Sequence, residues 1–386
     1  MYLFLITFLT LYGGIHLYAF VRLRDAFRPR PYASWSLFLW MIIMIITPLL
    51  VRGAERFGMA RTAEGIAWPG YLWMGFIFIF ASALLLADVL RHSSRFVLSR
   101  LSGRTPGFLS QRNFCMAALL LAGTASVYAY LEAGQIRSEH VVITSAKLPP
   151  STSRIRIVQI SDVHIGLLLQ EGRQKLILER IREAGPDILV STGDLIDGKL
   201  NREDITAGLN PLAALLAAVP APLGKFAVTG NHEMYAGLPQ ALDFNRAAGF
   251  TMLRNRSVTL ANGITISGVD DRAVFSSLAA SQDAETKLVN TVAHNSFHLL
   301  LKHRPDILPG SDGRFDLQLS GHVHDGQIFP FNLLVRLRHP IPCGKTTTPA
   351  GSSIYVSRGT GTWGPPMRLF APPEVTVIDI VRQQPS

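Results

Sequence analysis

The sequence predicts a four-helix membrane domain followed by an α/β domain rich in strands. Two observations carry this. Four runs without any Asp, Glu, Lys or Arg, residues 1–21, 31–51, 65–87 and 113–131, all lie before residue 132. Beyond them, short apolar β-branched runs alternate first with helical-period segments and then with one another, each closed by a polar or glycine turn.

Each uncharged run has about the 20 residues that an α-helix needs to cross a bilayer core of about 30 Å. One such run would fit a buried core helix, but four of them separated by arginine-rich loops define a membrane domain over residues 1–131. The first run has no positive charge at its amino end and no small-residue cleavage pattern before Arg22, so it is expected to stay as a permanent helix. Arg22, Arg24, Arg28 and Arg30 follow the first run, and Arg91, Arg95, Arg100, Arg104 and Arg112 follow the third. The second loop holds only Arg52, Arg56 and Arg61, offset by Glu55 and Glu64. Because Lys/Arg excess marks the cytoplasmic side, both termini and the α/β domain are expected on the outer, periplasmic or extracellular, side.

The net charge of +10 does not imply a nucleic-acid partner. Residues 1–150 hold 14 Lys+Arg against 6 Asp+Glu, whereas the remainder holds 23 against 21. The excess therefore belongs to the membrane loops. Two cysteines, Cys115 within the fourth run and Cys343 far beyond it, offer neither a disulfide framework nor a thiolate metal site.

A connector and leading strand are expected over residues 132–152, read from "EHVVITSAKLPPSTS", which begins at Glu139. Strands are then expected in "RIRIVQISDVH", "DILVSTGDLIDG", "GKFAVTGNHE", "GITISGVDD", "HLLLKHRPD", "DLQLSGHVH" and "SSIYVSRG". Helices are expected in "RQKLILERIREAG", from the spacing of Leu176, Ile177, Leu178 and Ile181, and in the stretch from Leu209 to Val219.

Oxygen and nitrogen donors recur where apolar runs stop: Asp162 and His164, Asp194, Asn231 and His232, His303, His322 and His324. Ligands in open α/β sheets gather at the carboxyl ends of strands. In "SGHVHDGQ" the flanking glycines favour a tight turn, which can aim His322 and His324 at different points. Spacing alone leaves one metal, two or none.

The ordered blocks "SDVH", "GD", "GNHE", "KH" and "GHVH" resemble the calcineurin-like metallophosphoesterase superfamily. The closing "SRGTGTWGPPMRLFAPPEVTVIDI" resembles its transmembrane branch. The resemblance implies a metallophosphoesterase domain over residues 153–386, folded as a four-layer α/β/β/α sandwich with two divalent metal ions at one edge. Asp162, His164 and His324 would hold the first ion, Asn231, His303 and His322 the second, and Asp194 would bridge both. His232 matches the family's histidine that contacts the phosphate and protonates the leaving group. Carboxylate, amide and imidazole donors without thiolate suit Mn, Fe or Zn. Two cations about 3.5–4 Å apart can hold a bridging hydroxide and clamp a phosphate for in-line attack.

The expected activity is hydrolysis of a phosphodiester, pyrophosphate or phosphomonoester, on a lipid-linked or cell-envelope substrate that suits a membrane-held enzyme. The alternatives are a membrane sensor or transporter with a regulatory phosphoesterase domain, and a protein phosphatase. The uncharged runs hold almost no ionisable residue, His16 being the only candidate for a relay, which speaks against a transporter. Neither His16 nor His92, expected in a loop, has an evident partner. Asp197 is read as either a partner of a ligand histidine or a turn residue, and His294 and His298 as structural. His339 with Arg336 and Arg338 is a candidate for meeting an anionic substrate, and Trp363, Pro365 and Pro366 either line the site or stiffen a loop. Asp325 replaces the family's usual glycine, either as an adapted turn of positive φ or as an extra carboxylate near the metals. The oligomeric state has no sequence signal.

Overall fold

The computed structural model describes residues 2–102, 110–169, 171–198, 205 and 210–383. Arg104, counted toward orientation, and Leu209, the expected start of a helix, lie outside the described residues. The chain divides into two compact units. One comprises Met1–Glu132 with Ile328–Pro330 and Gly364–Leu369, and the other holds the remaining segments from Ala133 onward.

The first unit contains α1 (Tyr2–Phe27), α2 (Pro31–Arg56), α3 (Ala60–Ser102) and α4 (Gln111–Ala133), all long and apolar enough to cross a membrane. The third corrects the sequence expectation. Arg91, Arg95 and Arg100 are helical rather than in a loop, and so is His92, whose Nδ1 lies 2.7 Å from the Asp88 carbonyl. No glycine or proline interrupts residues 76–102, so the helix continues past its uncharged run. His16 also has partners: its Nδ1 lies 2.8 Å from the Tyr12 carbonyl, and Trp73 Nε1 donates to its Nε2 at 2.9 Å. Arg22 and Tyr18 both meet Asp88, each at 2.7 Å, so the ends of the first and third uncharged runs lie together. Ile328, Met367 and Leu369 join the apolar cluster of these helices, and no sequence signal marks them.

The second unit is built on two six-stranded sheets. Its strands are β1 (Arg137–Ser145), β2 (Arg154–Ile160), β3 (Ile188–Ser191), β4 (Lys225–Ala227), β5 (Thr251–Met252), β6 (Arg256–Thr259), β7 (Thr265–Gly268), β8 (His298–Leu301), β9 (Leu317–Ser320), β10 (Gly344–Thr347), β11 (Ser353–Val356) and β12 (Glu374–Arg382). One sheet runs β1-β12-β2-β3-β4-β5 and the other β10-β11-β9-β8-β7-β6. Within the first, β2, β3, β4 and β5 are parallel, and β12 returns from the end of the chain to lie between β1 and β2. In the second, β11, β9, β8 and β7 are parallel, with β10 and β6 antiparallel at the edges.

Ile157, Ile188, Val190 and Phe226 of the first sheet share an apolar cluster with Ile266, Leu299, Leu301, Leu317 and Leu319 of the second. The central strands read as near-continuous apolar runs because both faces are covered. On the other side of the first sheet pack α5 (Glu171–Ala184), α6 (Pro211–Ala217), α7 (Asn231–Ala236) and α8 (Leu238–Ala247). Ile177, Leu178 and Ile181 of α5 enter that core, each worth about 1.5–3 kcal/mol of burial. Against the second sheet lies α9 (Leu278–Asn290), with Leu288 and Val289 in a cluster with Leu300. The last helix is α10 (Phe331–Arg338). The strands β5, β6, β10 and β12, and the helices α7, α8, α9 and α10, add to the elements that the sequence pattern predicts.

Candidate metal centre

Five parallel strands aim their carboxyl ends at one place. Two to five residues beyond the ends of β2, β3, β4, β8 and β9 stand Asp162 and His164, Asp194, Asn231 and His232, His303, and His322 and His324. The sharp turns after β2, β3 and β9 need unusual backbone. Asp162, His164, Asp194, His322 and His324 all have φ between +49° and +73°. Left-handed backbone at such residues costs on the order of 1–3 kcal/mol each and is characteristic of functional sites. A glycine is required where two of these turns meet, because a Cβ on Gly230 would collide with the Asp194 carboxylate.

The donors gather into two groups whose ligand atoms lie within 4.8 Å of one another: Asp162, His164 and His324, and Asp194, His303 and His322. In the first, His164 Nε2 is 3.1 Å from His324 Nε2, which is 3.3 Å from Asp162 Oδ1. In the second, His303 Nε2 is 3.2 Å from both Asp194 Oδ2 and His322 Nδ1. The turn holding His322 and His324 is thus shared between the groups, one histidine in each. Asp162 locks it by accepting the His322 backbone N–H at 3.0 and 3.1 Å with its two oxygens.

These donors fit divalent cations. His164 Nδ1 is buried without a hydrogen-bond partner, its nearest carboxylate oxygen, on Asp197, being 3.8 Å away. Its Nε2 faces another imidazole nitrogen, an arrangement that a cation between them relieves. Burial, with His232 next, pushes His164 down to about 3, and burial, with His303 next, pushes His322 down to about 2, so both present neutral imidazoles. Burial works against the charge of Asp162 and Asp194, but His324 beside the first and His303 beside the second hold both well below the usual carboxylate range. Burial likewise lowers His303, yet the Asp194 charge and hydrogen bond outweigh it and raise it to about 10. Asn231 joins through Arg304, whose Nη2 donates to Asn231 Oδ1 at 3.3 Å and whose Nη1 donates to His322 Nε2 at 2.7 Å.

His232 stands between the first group and an outer wall, and with Asp197 and His164 it makes a further cluster beside that group. Its Nδ1 lies 2.5 Å from Asp197 Oδ1, and its backbone N–H donates to Asp194 Oδ1 at 2.8 Å. Asp197 thus contacts His232 directly, with His164 Nδ1 3.8 Å from its other oxygen. Burial lowers His232, but the Asp197 hydrogen bond and the Asp194 charge raise it above its ordinary value. Its ring meets His164 edge-on at 4.7 Å and Trp363 at 5.8 Å. Trp363, half exposed, is fixed by Gln327, which donates to its carbonyl at 2.8 Å and accepts its N–H at 2.9 Å.

His339 meets His322 edge-on at 5.4 Å, and Arg336 lies 3.9 Å from Asp325. Asp325 has φ of 50°, which accounts for a residue that tolerates the left-handed region, and it belongs to neither donor group. His298 begins β8 and lies 2.7 Å from both the Arg314 carbonyl and Ser267 Oγ, while His294 accepts from Arg314 at 2.8 Å. Both have the structural roles that the sequence suggests.

Three supporting residues, Glu233, Asp271 and Arg304, carry little signal in the sequence. Glu233 is buried and accepts backbone N–H groups from Asp194, Leu195 and Gly230 at 3.0, 2.7 and 2.6 Å. Asp271 accepts from Arg304 Nε at 2.7 Å and so anchors that guanidinium, a third residue of this kind. A polar residue directly after "GNH", "KH" and "GVD" is the available signal, but its use depends on contacts 33 to 39 residues apart.

Residues 155–326 match the calcineurin-like phosphoesterase family. An uncharacterized metallophosphoesterase of Aquifex aeolicus is 38% identical over 270 residues, covering 68% of this chain and 98% of the relative. The metallophosphoesterase YkuE of Bacillus subtilis is 35% identical, covering 68% and 92%. A transmembrane protein with metallophosphoesterase domain from Danio rerio is 30% identical, covering 68% and 61%. Among solved structures, a dimetal phosphatase from Danio rerio shares 16% identity at a TM-score of 0.38, covering 54% of this chain and 88% of that one. This chain belongs to the calcineurin-like metallophosphoesterases and is a phosphate-ester hydrolase.

Proposed function

We propose that this chain is a membrane-held phosphoesterase with a two-cation centre, the catalytic unit lying on the outer side of the membrane. Asp162, His164 and His324 hold one cation, Asn231, His303 and His322 hold the other, and Asp194 bridges them. The observation that carries this reading is the pair of adjacent donor groups, each within 4.8 Å, sharing one turn. Divalent cations such as Mn, Fe or Zn held there supply an activated water and neutralise charge on the phosphate.

The chain's own residues supply the rest. Asp197 fixes the His232 ring through Nδ1, which leaves the other ring nitrogen to give a proton to the departing oxygen. Arg304, anchored on Asp271, adds a fixed positive charge beside the second donor group. Burial of His232, Asp194 and Asp271 strengthens these interactions over those in water.

A phosphodiester or pyrophosphate carried by a lipid or another envelope component is the substrate class we favour. The four apolar helices and the basic residues Arg336 and Arg338 near the centre support it. The arginine distribution around the helices supports the outer location. The purified full chain in Mn²⁺ is expected to hydrolyse bis(p-nitrophenyl) phosphate and to lose that activity in a chelator. Absence of metal-dependent hydrolysis would reject the reading. A reporter fused to the carboxyl end is expected to work only outside the cytoplasm, and a reporter active inside would reverse the orientation.

A further inference from the structure

Beside the donor groups lies α10, whose exposed leucines take no part in the chemistry above. Its first turn packs directly on the histidine turn. Gly326 has φ of 75°, and a Cβ there would collide with the Asn332 backbone. Its other end leads into His339, whose ring meets His322. The inner side carries Val335, packed against Val323, Ile354 and Val356.

The outer side is different. Leu333, Leu334 and Leu337 are 54%, 58% and 83% exposed. At about 3.6 residues per turn these three leucines form one arc, bordered by Arg336 on one side and Arg338 on the other. Single exposed leucines are ordinary on a protein surface, but a contiguous apolar arc marks an interaction site. The helix, "FNLLVRLR", has two arginines and no acidic residue. An apolar arc with basic residues at its borders is the pattern of a helix lying in a membrane interface.

We propose that α10 is an interfacial helix that docks on the lipid bilayer. Leu333, Leu334 and Leu337 enter the boundary between headgroups and acyl chains, and Arg336 and Arg338 bind the phosphates of anionic phospholipids. Two further facts select the bilayer as occupant. The chain carries four helices apolar enough to span a membrane, so a lipid surface is always at hand. The helix also begins directly after Ile328–Pro330, a segment that belongs to the helical unit. Through the turn at His322 to Gln327, lipid contact at α10 is linked to the donor groups, which makes the helix a selector for esters borne by a membrane. That last consequence rests on the phosphoesterase reading; the docking itself does not.

The test uses the full chain with Cys115→Ser and Cys343→Ser, reconstituted in vesicles of phosphatidylcholine and phosphatidylglycerol. An environment-sensitive fluorophore is attached at Leu337→Cys, separately at Leu333→Cys, and at Lys175→Cys as a control on exposed α5. Lipids carrying a nitroxide just below the headgroup are expected to quench the two α10 positions several-fold more than the control. Removing phosphatidylglycerol is expected to reduce that difference. Equal quenching at all three positions would overturn the proposal, as would cross-linking of two chains through Leu337→Cys without lipid quenching. Hydrolysis of the soluble diester is measured on the same samples. Its absence with quenching intact would reject the phosphoesterase reading and leave the lipid contact standing.

Discussion

Glu233 holds Asp194 by its backbone: one carboxylate accepts the Asp194 N–H at 3.0 Å, the Leu195 N–H at 2.7 Å and the Gly230 N–H at 2.6 Å. The side chain is buried, so these three donors have no solvent to turn to. Asp194 itself sits at φ of 52°, and this clamp keeps it there. Glu233→Gln replaces one accepting oxygen with a donating amide, leaving buried N–H groups without acceptors at about 1–3 kcal/mol each. The expected result is a fall of several degrees in the melting temperature of the full chain in detergent, together with reduced metal content. An unchanged melting temperature would show that the clamp is not needed.

The contact between His232 and Asp197 predicts a dependence on the leaving group. If His232 protonates the departing oxygen, His232→Ala lowers kcat by about 10²–10⁴-fold for an alkyl phosphodiester. It lowers kcat far less for a nitrophenyl ester, whose leaving group departs without a proton. Metal content is expected to stay at the wild-type level. Asp197→Asn is expected to give the same pattern more weakly, because it misorients the ring without removing it. Equal losses on both substrates would remove His232 from the role of acid.

Asp325 offers a test of backbone against chemistry. With φ of 50° and no place in either donor group, it is expected to be replaceable by glycine with metal content and activity near wild type. Asp325→Val puts a β-branched residue into the left-handed region, at a cost of about 1–2 kcal/mol, and is expected to melt lower. A large loss of activity in Asp325→Gly, with metal retained, would make the carboxylate a working part of the site.

Much of this architecture is legible in the sequence itself. The four spans follow from uncharged runs, and the donors follow from their recurrence at the ends of apolar strands. Each of those features is local in sequence. What escapes is what depends on distant packing. Arg304 finds Asp271, Asn231 and His322 only once β7, β8 and β9 lie side by side. His16 has Trp73 as partner 57 residues away, across two helices. The third helix runs through Arg91, Arg95 and Arg100 because hydropathy marks where a membrane ends, not where a helix does. The helix α10, eight residues long, is too short for its periodicity to stand out.

The central claim is a two-cation centre with Asp194 between its halves, and metal stoichiometry measured alongside hydrolysis tests it most directly. The full chain, loaded with Mn²⁺ and freed of excess metal, is expected to hold two ions per chain and to hydrolyse bis(p-nitrophenyl) phosphate. Asp194→Asn is expected to hold fewer than two and to be inactive. Full activity in Asp194→Asn, or a wild-type chain active with a single ion, would contradict the account.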